Sequence, residues 1–429
     1  MKYILSYSLI ACMALFYSCS SSNNNSGENT IIDVESVVGK GAIHKASDYI
    51  KQIKYIPLET TQNSMVGNIS NIIVNNNKIY VRDDKSVITI FDLNGKYLNT
   101  LNRVGRGPEE YMNIVDFEVT PSGNILVASR QEGLVEYGAD LRFLRKISPE
   151  GGVDAGLNDL IILKDGLFAS NTFVLDMQAG SAKQAWKIYD DSLKTLFSYS
   201  ADPEVQSSPG GSGGTGTIRV GIRLNIYSYY IYNKNLNLFR AGNDTIFNIN
   251  YENDYQKSAR YVVNCGKYQY LEDMESGINL SASGPSGQTE LKAISLSSMI
   301  ETDNYLFMSF NFRGLAPEPF EVEPFVSSSA GREMRIGGGK SSTVNGIYDK
   351  KSGKLSLLNQ PIPKTLGLRN DINNGAIFWP RSITEKQELI SWYNALDLVM
   401  LAEEGKIDKS VIGNLKEDDN PVVAIAVPK

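Results

Sequence analysis

The feature that most restricts this chain is a repeated strand grammar. Between Lys54 and Arg103, "KYIPLE", "ISNIIVNNNKIYVRDD" and "VITIFDLNGKYLNTLNR" alternate apolar and polar residues. They break at Asn-Asn-Asn and Asn-Gly, which favour tight hairpins. The same order returns in "IVDFEVTPSGNILVASRQEGLVEYGADLRFLRKI", with turns at Pro-Ser-Gly and Gly-Ala-Asp. Four predicted strands in a unit of roughly 45 residues match the period of a β-propeller blade.

Later units are spread by insertions. Leu157 to Ser200 fits a third blade, Thr217 to Tyr268 a fourth and Asp303 to Asn359 a fifth. "GAIFWPRSITEKQELISWYNALDLVMLAEEG" with "NPVVAIAVPK" makes a sixth. Apolar spacing at Leu389, Trp392, Leu396 and Val399 predicts a helix within it. Six blades over about 410 mature residues give roughly 70 each, so long loops are required. "SSPGGSGGTG" (Ser207 to Gly216), "SASGPSGQ" (Ser281 to Gln288) and Ala316 to Ser342 supply them. A ring has to close by pairing its ends, and "TIIDVES" (Thr30 to Ser36) is the strand expected against "VVAIAV" (Val422 to Val427). The fold class is therefore all-β: a six-bladed β-propeller with four-stranded blades, long inserted loops and one short helix near the C-terminus. Residues 30–429 form one domain in this reading.

Composition agrees and removes several functions. The 429 residues are 42% hydrophobic and 21% charged, with 23 Tyr and 15 Phe, which favours strands. A formal charge of -6 argues against nucleic acid as a partner, because a phosphate binder needs a basic face. Lys2 and the apolar "YILSYSLIACMALFYS" read as a signal peptide over 1–18, too short to span a bilayer comfortably. "FYSC", Phe16 to Cys19, resembles a loose lipobox with Cys19 as the lipidated residue. "LIAC", ending at Cys12, matches better locally but leaves too short an apolar run, and simple secretion is the competing reading. "SSSNNNSGEN" makes 19–29 a tether. The expected address is the cell envelope, as an outer-membrane lipoprotein whose membrane face stays open, and the expected state is a monomer. Cys265 would be the one unmodified cysteine left, so a disulfide framework and a multi-cysteine metal site are excluded. His44 is the sole histidine, in "GKGAIHKASDY" without a motif around it, which excludes most hydrolase and zinc chemistry.

The remaining candidates are loops. Gly211, Gly213 and Gly216 formally spell G-x-G-x-x-G, but no strand precedes and no helix follows them, so a dinucleotide site is not indicated. "VGRGPEEY" lacks the lysine of a phosphate loop. Its adjacent Glu109 and Glu110 would face opposite ways on an extended chain and serve poorly as a glycosidase pair. The stretch falls between the last strand of one blade and the first of the next. It reads as a blade connector, with a ligand role at the funnel rim as the alternative. The candidate ligand-binding residues are Arg103, Arg106, Glu109, Glu110, Tyr111, Arg313, Trp379 and Arg381, because arginines beside aromatics suit anionic or sugar ligands. Arg332 and Arg335 lie in an inserted loop. No catalytic residue, cofactor or metal site is indicated.

"IKYIPLET", "GNISNIIVNNNKIYVRDD", "IFDLNGKYL", "GRGPEEY", "NDTIFNI", "VVNCGKY" and "LKEDDNPVVAIAVPK" together resemble the six-bladed β-propeller lipoproteins of Bacteroidota-type bacteria, with NHL-like blades. The resemblance implies the fold and an envelope location and brings no catalytic residues with it. The expected role is a binding or scaffold module for a ligand, carbohydrate among the candidates, or for an envelope protein. The alternative is a carbohydrate-active lyase or hydrolase with its site in the funnel.

Overall fold

A strand paired on both edges and packed on both faces needs no polar face, and two strands of the second repeat have none. Ile125–Ser129 and Gly133–Tyr137 are buried at every position. The computed structural model describes residues 30–429 apart from 130–131, 149–156, 177–180, 201–204, 207, 210–219, 222–226, 241, 271–291, 323–324, 330–331 and 337–338. The glycine-rich Gly211 to Gly216, the loop Ser281 to Gln288 and Cys19 with its signal segment fall outside the described residues.

Six sheets follow one another along the chain, each built on four antiparallel strands, which run in sequential order in blades one to five. Blade one is Ile69–Asn75, Lys78–Asp83, Ile88–Asp92 and Tyr97–Leu101. Blade two adds Asp116–Val119 and Phe143–Ile147 around the two buried strands. Blade three is Ile161–Lys164, Leu167–Asp176, Ser181–Asp190 and Thr195–Ser200. Blade four is Tyr227–Tyr232, Asn235–Arg240, Thr245–Asn250 and Gln256–Asn264. Blade five is Ala293–Glu301, Tyr305–Arg313, Thr343–Asp349 and Lys354–Leu357. Blade six is Ser382–Ile383, Leu389–Tyr393, Val422–Pro428 and, from the other end of the chain, Ile50–Pro57.

The core is a cycle of apolar layers between neighbouring blades. Ile90 and Leu101 meet Phe117 and Val127; Leu126 and Leu134 meet Phe168 and Tyr189. Leu163 and Trp186 meet Leu236 and Ile249; Phe239 and Val263 meet Phe310 and Val344. Phe307 and Ile347 meet Leu389 and Ala424; Ile390 and Val423 meet Ile72 and Phe91, which returns to blade one. Each buried Leu, Ile or Phe contributes about 1.5–3 kcal/mol, so the ring is held by its blade boundaries.

Closure differs from the sequence expectation. Ile50–Pro57 pairs antiparallel with Val422–Pro428, whereas Thr30–Asp33 pairs parallel with Gln256–Asn264 as a fifth strand on blade four. Thr30–Asp33 buries only Ile32 and leaves Ile31 61% exposed, which suits an outer edge. Ile50, Ile53 and Ile56 are all buried: a register shift between Ile50 and Gln52 brings Ile50 and Ile53 into the layer with blade five, while Ile56 packs in the layer with blade one. "KYIPLE" therefore belongs to blade six rather than blade one. Between these strands the chain touches Leu358 at Ala42 and Arg369 at Lys45. His44 lies on this path, half-buried, with Tyr49 Oη at 2.9 Å from its Nδ1.

Two other expectations shift. Blade five begins at Ala293, ahead of Asp303. The helix is Ala395–Glu403, buried at Ala395, Leu398 and Ala402, while Leu396 is 45% exposed. Leu389 and Trp392 belong to the preceding strand, so their helix-like spacing came from two abutting elements.

Candidate functional site

Alternating strand directions place the first-to-second and third-to-fourth turns of every blade on one face of the ring, and the second-to-third segments and blade connectors on the other. The first face is built from short turns. Asn76, Asn77, Asn233 and Lys234 adopt positive φ at hairpin tips, as two-residue turns require. Third-to-fourth turns reuse one device. Asp92 Oδ1 accepts from the N–H of Asn94 and Lys96 at 2.8 and 2.9 Å. Asp190 does so from Ser192 and Lys194, and Asp349 from Lys351 and Ser352. On the opposite, connector face end the strands that flank the longest intervals between blade strands, at Ser200 and Tyr227, Asn264 and Ala293, Arg313 and Thr343, Leu357 and Ser382, and Tyr393 and Val422. Within 314–342, Arg332 and Arg335 belong to the strand Arg332–Ile336, paired with Phe325–Ser329.

The connector around Val104 to Tyr111 is a fastened loop on that face. Val104 bridges Tyr111, and Gly107 N–H donates to Glu110 Oε2 at 2.7 Å. Tyr111 is fully buried between blades one and two, its hydroxyl donating to Ser86 O at 3.1 Å. Burial pushes that hydroxyl up to about 12. From blade two, Tyr137 Oη donates to Glu109 O at 2.7 Å and Lys146 Nζ to Glu110 O at 2.8 Å. A Cβ on Gly105 would sit 2.0 Å from Glu110 Oε2, so a larger residue there would push the Glu110 carboxylate from its place. Arg103, Arg106 and Glu109 remain exposed.

The other candidates occupy different blade boundaries. Arg313 lies over Tyr270 at 5.2 Å, at the end of blade five's second strand. Trp379 packs edge-on to Phe307, with ring centroids 5.8 Å apart, in the layer between blades five and six. Arg381 stacks over Trp392 at 4.7 Å just before blade six's first strand.

A second constellation forms where the first strands of the blades line the lumen. Neighbouring first strands touch there: Asn75 Nδ2 donates to Val119 O at 2.9 Å, and Ser382 Oγ to Ile72 O at 3.3 Å. Asp116 and Glu118 stand on blade two's first strand, Asp159 just ahead of blade three's, Tyr229 on blade four's, and Glu385 in the turn after blade six's. Burial raises the Asp116 carboxyl to about 6, against the opposing pull of Leu160 N–H at 2.9 Å and of Arg82. Glu118 rises to about 8, first from burial and then from the charges of Asp116 and Glu385. Burial also raises Asp159, while a hydrogen bond from Asn171 lowers it. Tyr229 is held well above its usual value by burial and by Asp116, Asp159 and Glu118. Arg82 enters from blade one and donates to the carbonyls of Ile114 and Val115. Among the described residues no three Asp, Glu, His or Cys side chains are placed to hold a metal ion.

Sequence reasoning passed over this cluster although a signal was present. In "IVDFEV" the acids alternate with Phe117 and Val119 on a blade's first strand, where both faces should pack. The acids stand there because the strand's free edge borders the lumen.

Residues 29–427 match the family described as "Domain of unknown function (DUF4934)". A Bacteroides fragilis protein presumed exported has a crystal structure similar to this chain, with TM-score 0.60, 15% identity, and coverage of 94% of this chain and all of that one. At that identity the likeness speaks for the fold alone. The computationally designed Ika4 protein reaches only TM-score 0.27 at 10% identity, covering 48% of this chain and 96% of its own, which carries no argument. No curated protein matches the chain.

Proposed function

Because the chain belongs to the DUF4934 family, whose description assigns no activity, we propose its role from geometry. The protein is a lipid-anchored envelope β-propeller that binds a glycan or protein partner on its connector face. One observation carries this reading: among the described residues the strands flanking the longest intervals end on that face, and the turns joining strands on the opposite face are short. Loops with fixed ends on a rigid scaffold are where recognition is placed. The presumed export of the Bacteroides fragilis protein supports an envelope address, and "FYSC" would supply the anchor at Cys19.

The test is capture of envelope glycans and proteins by the full-length chain. Arg103→Ala, Arg106→Ala and Arg381→Ala on the connector face are compared with Lys96→Ala and Lys194→Ala on the other. Loss confined to the first group is expected; loss confined to the second, or no capture at all, overturns the reading. Cys19→Ala should release the protein from membranes, and unchanged partitioning removes the anchor.

A second reading, a carbohydrate-active lyase or hydrolase, is favoured by one observation. Glu118 stays protonated to about pH 8 beside Asp116, which ionises near 6, and a separated pair of this kind suits an acid and a base. Glycan turnover abolished by Glu118→Gln would decide for it.

A further inference from the structure

We infer that the lumen wall formed by Asp116, Glu118, Asp159, Asn171 and Tyr229 is a binding site for an organic ammonium group. The first ground is charge. Asp116, Glu118, Asp159 and Glu385 act on one another around the lumen, with Arg82 as the cation acting on Asp116. Arg82 shares its Nη1 between the carbonyls of Ile114 and Val115, and its buried Nε has no hydrogen-bond partner. Desolvated like charges without a full set of counterions mark a site where a ligand supplies the missing charge.

The second ground is independent of the acids. Asn171 is 9% exposed, and its amide donates to Asp159 while its Oδ1 has no hydrogen-bond partner. An orphaned buried acceptor costs about 1–3 kcal/mol unless a donor arrives. The wall thus gathers three carboxyls and one unpaired amide oxygen, and an ammonium group is a donor only. Tyr229 contributes an aromatic ring, set edge-on against Trp186 with centroids 4.8 Å apart, in reach of three carboxyls. Aromatic faces beside carboxylates suit ammonium cations. A metal ion fits less well, because among the described residues no three acidic side chains converge on one point.

Binding the cation draws protons off the acids, so affinity rises with pH. The groups facing Glu118 are Asp116 on its own strand, Glu385 from blade six and Tyr229 from blade four. Asp116 in turn faces Arg82 and Asp159. A neutral hydroxyl-rich ligand would favour the protonated acids and show the opposite slope.

The inference deepens the connector-face reading by naming a ligand chemistry for the lumen, and it fails separately from it. Cadaverine, whose amines stay protonated over the range, is titrated calorimetrically into the full-length protein at pH 6 and pH 8.5, with 1,5-pentanediol and calcium chloride as controls. The expected result is saturable binding, proton release, and affinity at least tenfold tighter at the higher pH. Glu118→Gln and Asp159→Asn, each checked for folding by thermal unfolding, should each weaken it at least tenfold. Absent cadaverine binding, equal binding of pentanediol, preferred binding of calcium or weakening as pH rises would each overturn the inference. Glycan capture surviving such a failure would leave the connector-face reading standing.

Discussion

Replacing Glu118 with glutamine should stabilise the protein at alkaline pH and change little in acid. Glu118 ionises near 4.5 when unperturbed and near 8 in the lumen, because burial and the neighbouring Asp116 and Glu385 disfavour its charge. With the folded value raised, the neutral acid's contribution is fully present below pH 4.5. It is lost as pH rises towards 8 and changes no further above that. At about 1.4 kcal/mol per pH unit, the interval sets a ceiling of about 5 kcal/mol. Glu118 keeps partial contact with lumen water, so about 2–3 kcal/mol is the working figure. Unfolding entropy of about 2.1 cal/mol/K per residue over roughly 400 residues converts 1 kcal/mol to about 1.2 °C. Thermal unfolding at pH 5, 7 and 9 should therefore show Glu118→Gln and the parent nearly equal at pH 5 and the variant about 3 °C higher at pH 9. A difference that does not change with pH, or a variant less stable at pH 9, would refute the electrostatic account of the lumen.

Glu301 has a fully buried side chain, with Arg260 Nη2 at 2.6 Å, Lys350 Nζ at 2.5 Å and Tyr261 Oη at 3.0 Å of its Oε1. Glu301→Ala should cost about 3–5 kcal/mol in denaturant unfolding by stranding two cations between blades four and five, and a loss below about 1 kcal/mol would contradict this. Gly95 has φ +83 and a Cβ there would sit 2.0 Å from Pro57 O. Gly95→Ala should thus cost more than about 2 kcal/mol and loosen the closing strand, measured by thermal unfolding and hydrogen exchange at Ile50–Pro57. Tyr111→Phe removes the hydroxyl bonded to Ser86 O, with an expected loss of about 1 kcal/mol and faster exchange in 101–116; unchanged exchange would clear the hydroxyl of holding the connector.

The ring could be read from the chain because its determinants are local. Asn-Gly at Asn94 and the Asp-led turns at Asp92 and Asp190 set hairpins within a few residues, and alternation in "ISNIIVN" marks strands before any tertiary contact exists. "GRGPEEY" likewise declared itself as a connector, since Gly105, Gly107 and Pro108 fix a turn by backbone preference. Closure was different. Thr30–Asp33 and Ile50–Pro57 are both isoleucine-bearing strands near the start of the ring, and which one pairs with Val422–Pro428 depends on residues more than 360 positions away. The lumen cluster depended on tertiary structure more completely. Asp116, Asp159, Tyr229 and Glu385 are far apart in sequence, and only the meeting of four blades' inner edges turns them into one desolvated wall. Sequence by itself determined the strands and turns, which answer to neighbours along the chain. The closing partner and the electrostatic character of the lumen were decided by ring geometry, because burial and like-charge proximity exist only once the blades have packed.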